Sequence, residues 1–163
     1  MGSSRAGRPR GLTRRGVLGL TAALLVLPRY ATSAEAAAIL VHKDPNCGCC
    51  AGWVRHLTEA GFSVAVDEKT DLNVIRRRLG VPNDLAACHT AEAGGYVLEG
   101  HVPAAAVHRL LSERPDANGL AVPGMPAGAP GMEGGSPDKY EVVLFGAKDR
   151  QTFMRFIGPV VVC

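Results

Sequence analysis

Three of the five cysteines crowd into four consecutive positions, Cys47-Gly48-Cys49-Cys50. An apolar run, Ile39-Leu40-Val41, comes just before and a helical pattern just after. That order describes a strand, a tight loop through Asp44-Pro45-Asn46, and a helix N-terminus carrying three thiols. Helix N-termini bear a partial positive charge and free N–H groups, so they favour thiolate over thiol. Thiolate is the form that attacks disulfides and binds soft metals. Cys47 and Cys50 alone form a C-x-x-C, the pattern of dithiol redox chemistry. Cys49 between them makes a C-x-C-C, which suits a metal–thiolate site better. A structural disulfide plus one spare thiol is the plainest alternative.

Charge divides the chain. Arg5, Arg8, Arg10, Arg14, Arg15 and Arg29 lie in the first thirty residues, and no acid precedes Glu35. From Ala37 onward 12 Lys and Arg face 14 Asp and Glu, so this part carries about −2 despite an overall +3. Nucleic acid is therefore excluded as a partner, because the required basic stripe is missing. Arg76-Arg77-Arg78 is too short to replace it and reads as the solvated face of a helix. Residues 1–36 read as an export signal: a basic start, an apolar run from Val17 to Leu27, and Ala34-Glu35-Ala36 as the cleavage site. Arg14-Arg15 directly before the apolar run resembles the twin-arginine motif. The run is shorter than the roughly 20 residues that span a bilayer. The expected mature chain, residues 37–163, thus has no stable membrane span and works in the periplasm, where thiols are kept reduced, metal-bound or paired.

The mature chain begins as β-α-β-α. A strand is expected over Ile39–Lys43, and a helix over Ala51–Ala60 with Trp53, Val54, Leu57 and Ala60 inward. A second strand follows at Phe62–Val66. A second helix, capped by Thr70 or Asp71, turns Leu72, Ile75 and Leu79 inward and ends at Gly80. Further strands are expected over Cys88–Ala93 and Tyr96–Glu99 around Gly94-Gly95, then a helix opened by Pro103 and running to Glu113. Residues 117–137 are rich in Gly, Pro and Met and lack periodicity, so they read as one long functional loop. Tyr140–Phe145 is the last clear strand; Thr152–Ile157 pairs with it or trails off. The class is α/β, a central mixed sheet flanked by helices.

At Cys47-Gly48-Cys49-Cys50, Cys88-His89-Thr90-Ala91, Gly95 to Pro103 and the Pro-Gly-Met loop, the chain resembles the CopG-like copper-resistance proteins, also called domain of unknown function 411. The resemblance runs from Ile39 to about Phe145. It implies a thioredoxin-like fold, an envelope location and copper held by cysteines, with a role in copper handling that includes cycling between Cu(I) and Cu(II). The implied metal-binding set is Cys47, Cys49, Cys50 and Cys88. Cys163 lies outside the motifs and takes no role from them.

Soft thiolates select Cu(I), zinc or iron–sulfur clusters. Side chains of adjacent helical residues diverge by about 100°, so Cys49 and Cys50 suit bridging several ions better than closing on one. The expected cofactor is therefore a multinuclear Cu(I)–thiolate cluster closed by Cys88. His89 is either a ligand, a support behind the ligands or a plain loop residue. Met125 and Met132 offer weak thioether ligands for passing copper on, or fill a hydrophobic gap. His42 reads as packing or as support behind the ligands; His56 and His108 read as solvated, and His101 as a helix cap or a lining residue. Copper ions are the expected partners, with other envelope copper-handling proteins beyond them. Two other functions compete: an envelope thiol–disulfide oxidoreductase using Cys47 and Cys50, and a zinc site of Cys47, Cys50, Cys88 and His89, which leaves Cys49 over. No Ser/His/Asp arrangement or phosphate-binding glycine loop is present. Any enzymatic activity would be that of a copper-dependent oxidoreductase, exchanging electrons between the cluster and an outside partner.

Overall fold

Eight strands form a single mixed sheet in the order β2-β1-β3-β4-β5-β6-β7-β8. The computed structural model describes Gly2 and residues 38–163; apart from Gly2, the export segment read at 1–36 lies outside the described residues. The strands are β1 (Ala38–Lys43), β2 (Ser63–Glu68), β3 (His89–Ala93), β4 (Tyr96–Glu99), β5 (Gly119–Ala121), β6 (Lys139–Phe145), β7 (Arg150–Ile157) and β8 (Val160–Val162). The helices are α1 (Gly48–Glu59), α2 (Asn73–Leu79) and α3 (Ala104–Glu113), with a 3-10 turn over Asn83–Leu85. Only β1 with β2 and β4 with β5 pair in parallel; the other neighbours are antiparallel. The opening β-α-β pattern thus gives one parallel pair, and the antiparallel pairing of β3 with β1 makes the sheet mixed.

Strand alternation sorts the apolar side chains onto two faces. On one face Ile39, Val41, Ala91 and Leu98 pack against Trp53 and Leu57 of α1 and Val107 and Leu110 of α3. On the other, Val97, Ala121 and Phe145 meet Val81 and Leu85. Fully burying a Leu or Val side chain stabilises by roughly 1.5–3 kcal/mol, so the first and larger face dominates the core.

Three expectations change. Helix α1 starts at Gly48, so Cys49 and Cys50 lie inside its first turn. Helix α2 keeps Leu72, Ile75 and Leu79 as its half-buried apolar positions, with Leu79 against the second cluster, but none is fully buried, and Arg76 and Arg78 form ion pairs over the sheet. The stretch expected to be one loop from 117 to 137 contains β5, whose Gly-Leu-Ala carries no strand signal and is held by β4 on one side and β6 on the other.

Candidate metal centre

The centre lies where β1 hands over to α1. Asp44 Oδ1 accepts from the Asn46 N–H at 2.8 Å, and the Asp44 carbonyl accepts from the Cys47 N–H at 3.1 Å. This Asx turn delivers Cys47 to the position before the helix. The buried Lys43 ammonium donates to the Asp44 carbonyl at 3.0 Å and pairs with Glu68, fixing the turn from below. Cys47 and Cys50 are joined in a disulfide. Cys49 remains a free thiol, its Sγ 3.5 Å from Cys47 Sγ and 3.9 Å from Cys88 Sγ. The plainest reading of the motif, a disulfide with a spare thiol, is thus the state of these three cysteines, yet the spare thiol has a partner across the fold.

Cys88 is placed by a buried ion pair. Arg76 of α2 donates to Glu99 Oε1 at 2.8 Å and also to the Ala87 carbonyl, while the Ala87 N–H donates to the same Oε1 at 2.7 Å. Thr90 Oγ1 donates to Glu99 Oε2 at 2.5 Å. Ala87, the residue before Cys88, is therefore held at both its N–H and its carbonyl. Burial holds the Glu99 carboxyl above its ordinary value, against the pull of Thr90, Ala87 and Arg76. Burial, reinforced by neighbouring Cys49, pushes the Cys88 thiol up to about 11.

His101 completes the group. Its Nδ1–H donates to the Pro130 carbonyl at 2.7 Å, which fixes the tautomer and leaves Nε2 as the acceptor. His101 is fully buried, and Nε2 has no hydrogen-bond partner. One donor atom each from Cys49, Cys88 and His101 lie within 4.8 Å of one another. The Met125 Sδ lies 2.9 Å from Cys88 Sγ on the exposed side. An orphaned buried nitrogen costs about 1–3 kcal/mol, and a soft ion bound beside the two thiols would relieve it. Two thiols, an imidazole and a thioether form a donor set that favours Cu(I).

The remaining histidines have other surroundings. His89 packs on Trp53 at 4.3 Å between ring centroids and meets His101 edge-on at 4.9 Å. Both its nitrogens are buried without partners, and burial pushes it down to about 3, so the ring stays neutral. It supports His101 from behind. His42 places Nδ1 3.0 Å from Asp67 and Nε2 2.9 Å from Glu92, so neither nitrogen is free to turn toward the thiols. The expectation of a solvated His56 is corrected: its Nε2 accepts the Ala104 N–H at 3.0 Å and caps α3. Met132 packs against the apolar core, and Cys163 is exposed after β8. From sequence alone His101 is a helix cap or a lining residue. Its role depends on Pro130, 29 residues away, and the only local hint was a histidine preceding a helix.

These features define a mixed α/β protein with a cysteine-rich site suited to a soft metal. The family described as "Protein of unknown function, DUF411" matches residues 85–132. Two solved structures titled copper resistance protein CopG, form 2 and form 1, are each 44% identical with a TM-score of 0.71. The alignments cover 75% and 76% of this chain and 99% and 100% of theirs. No curated protein matches the chain. The chain belongs to the CopG-like copper-resistance family, and its function is related to copper. No helix among the described residues is long and apolar enough to cross a membrane.

Proposed function

We propose that this chain is an exported copper-binding protein of copper resistance, holding Cu(I) at Cys47, Cys49, Cys50 and Cys88 once the disulfide is reduced, with His101 as an added ligand. One observation carries this reading: a ring nitrogen of the buried His101, whose Nε2 has no hydrogen-bond partner, and the Cys49 and Cys88 thiols converge from three parts of the chain. Supporting it is the 44% identity to proteins titled copper resistance protein. We extend the reading to a thioredoxin-like arrangement for β1 to β4, on the strength of the order β2-β1-β3-β4 with α1 following β1. The twin-arginine segment supports a periplasmic location. There the protein passes copper to other envelope proteins or cycles it between Cu(I) and Cu(II).

The Cys47–Cys50 disulfide is the observation on which a thiol–disulfide oxidoreductase would rest. Cys49, Cys88 and His101 have no task in such an enzyme, so copper comes first. The test is an anaerobic Cu(I) titration of the reduced protein against a chromophoric chelator, beside a variant with Cys47, Cys49, Cys50 and Cys88 changed to Ser. Tight binding of several coppers, lost in the variant, supports the reading. No binding, with a readily cycled disulfide, moves the function to dithiol exchange.

A further inference from the structure

The disulfide removes two of the four thiols, yet the remaining donors stay assembled. With Cys47 and Cys50 bonded, Cys49 Sγ lies 3.9 Å from Cys88 Sγ, a ring nitrogen of His101 lies within 4.8 Å of both thiols, and the buried His101 Nε2 has no hydrogen-bond partner. Met125 Sδ stands beside Cys88. We propose that the Cys47–Cys50 pair sets the capacity of the centre: closed, the protein keeps one Cu(I) on Cys49, Cys88 and His101, and open, it takes further ions. This rests on the copper reading above and adds a second, single-ion state to it.

The argument is one of charge and donor count. A disulfide sulfur carries no negative charge and is a poor ligand, so the closed form offers two thiolates and one neutral imidazole. On one monovalent ion that set leaves a net charge of −1, which a partly buried site tolerates. Four thiolates crowded into the same few ångströms repel one another strongly at low dielectric and call for additional cations. Opening the pair is a balanced exchange. A dithiol reductant supplies two electrons and two protons, the Cys47–Cys50 S–S bond breaks into two thiols, and the reductant closes its own S–S bond. Incoming Cu(I) then displaces the thiol protons. Reoxidation by a disulfide reverses the electron flow and returns the centre to one ion, releasing the others.

The test is a Cu(I) titration under nitrogen on the full chain in a Cys163→Ser background, which removes the exposed distant thiol. One sample is reduced with a dithiol that is then removed; the other keeps the Cys47–Cys50 disulfide, confirmed by alkylation and mass measurement. A Cys47→Ser/Cys50→Ser variant supplies a form that cannot close. The expected result is one copper per chain in the oxidised protein and in the double variant, and more than one in the reduced protein. His101→Gln should weaken the single ion at least tenfold. No copper in the oxidised protein, or equal stoichiometry in both states, overturns the inference while the copper function stands. No copper in the reduced protein removes both.

Discussion

Gly52 on α1 and Gly131 in the Gly/Pro/Met loop meet backbone against backbone. A Cβ on Gly52 would lie 2.8 Å from Gly131 Cα, and one on Gly131 would lie 2.4 Å from the Cys49 carbonyl oxygen. Gly131 also holds φ +84°, a conformation that side chains disfavour. The loop is thereby seated on the first turns of α1, and the neighbouring Pro130 carbonyl reaches His101. Gly131→Ala should destabilise the fold by more than about 1 kcal/mol, since strain and clash act together. It should also weaken Cu(I) binding, because lifting Pro130 frees the His101 ring. Thermal unfolding and a chelator competition measure the two effects. Wild-type copper affinity in a folded Gly131→Ala protein would show that the loop does not orient the ligand.

Arg76 and Glu99 make the second prediction. Glu99 has no exposed side-chain surface and Arg76 only 14%. Arg76→Met leaves a buried carboxylate unpaired and frees the Ala87 carbonyl, which should cost about 3–5 kcal/mol in denaturant unfolding. Glu99→Gln keeps an acceptor for Ala87 and Arg76, so its loss should be smaller. Equal losses in the two variants would mean that the charge pair is not what holds the Cys88 segment.

The cysteine motif, the β-α-β opening, the Gly-Gly hairpin and α3 were legible because local pattern and final structure agree there. A strand followed by C-x-C-C at a helix start needs no distant partner to be recognised. β5 was not legible: three residues of Gly-Leu-Ala inside a Gly/Pro stretch become a strand only through β4 and β6. The same holds for His101, whose meaning comes from Pro130, and for His56, whose partner is the N-terminus of α3. The disulfide was one of several readings of the motif. Spacing allows a dithiol, a disulfide and a thiolate cluster alike, since all three use the same backbone.

His56 gives the fold a pH dependence. Burial lowers its pKa from the ordinary 6.5, and the neutral ring accepts the Ala104 N–H. The unfolded chain therefore takes up the proton first. Stability from this group is full above 6.5 and falls as the pH drops below 6.5 toward the lowered folded value, because the unfolded state binds more protons in that window. His56→Gln should flatten this part of the melting temperature–pH curve. His56→Ala should cost about 1 kcal/mol at neutral pH through loss of the cap. An unchanged acid slope in both variants would assign it to other groups.

The two loop methionines, alike in sequence, part company in the fold. Met125 is 57% exposed with its sulfur 2.9 Å from Cys88 Sγ, whereas Met132 packs against the core. A thioether at the rim of a thiol site offers an incoming Cu(I) ion a first soft contact before the thiols lose their protons. Met125→Leu keeps size and apolarity but removes the sulfur, so it should slow copper loading several-fold with little change in unfolding. Met132→Leu, a near volume-conserving swap in packed surroundings, should load at the wild-type rate and cost less than about 1.5 kcal/mol. Stopped-flow mixing of reduced protein with a Cu(I) complex separates the two. Equal rates for Met125→Leu and wild type would leave Met125 as a surface neighbour of Cys88 and place copper entry elsewhere.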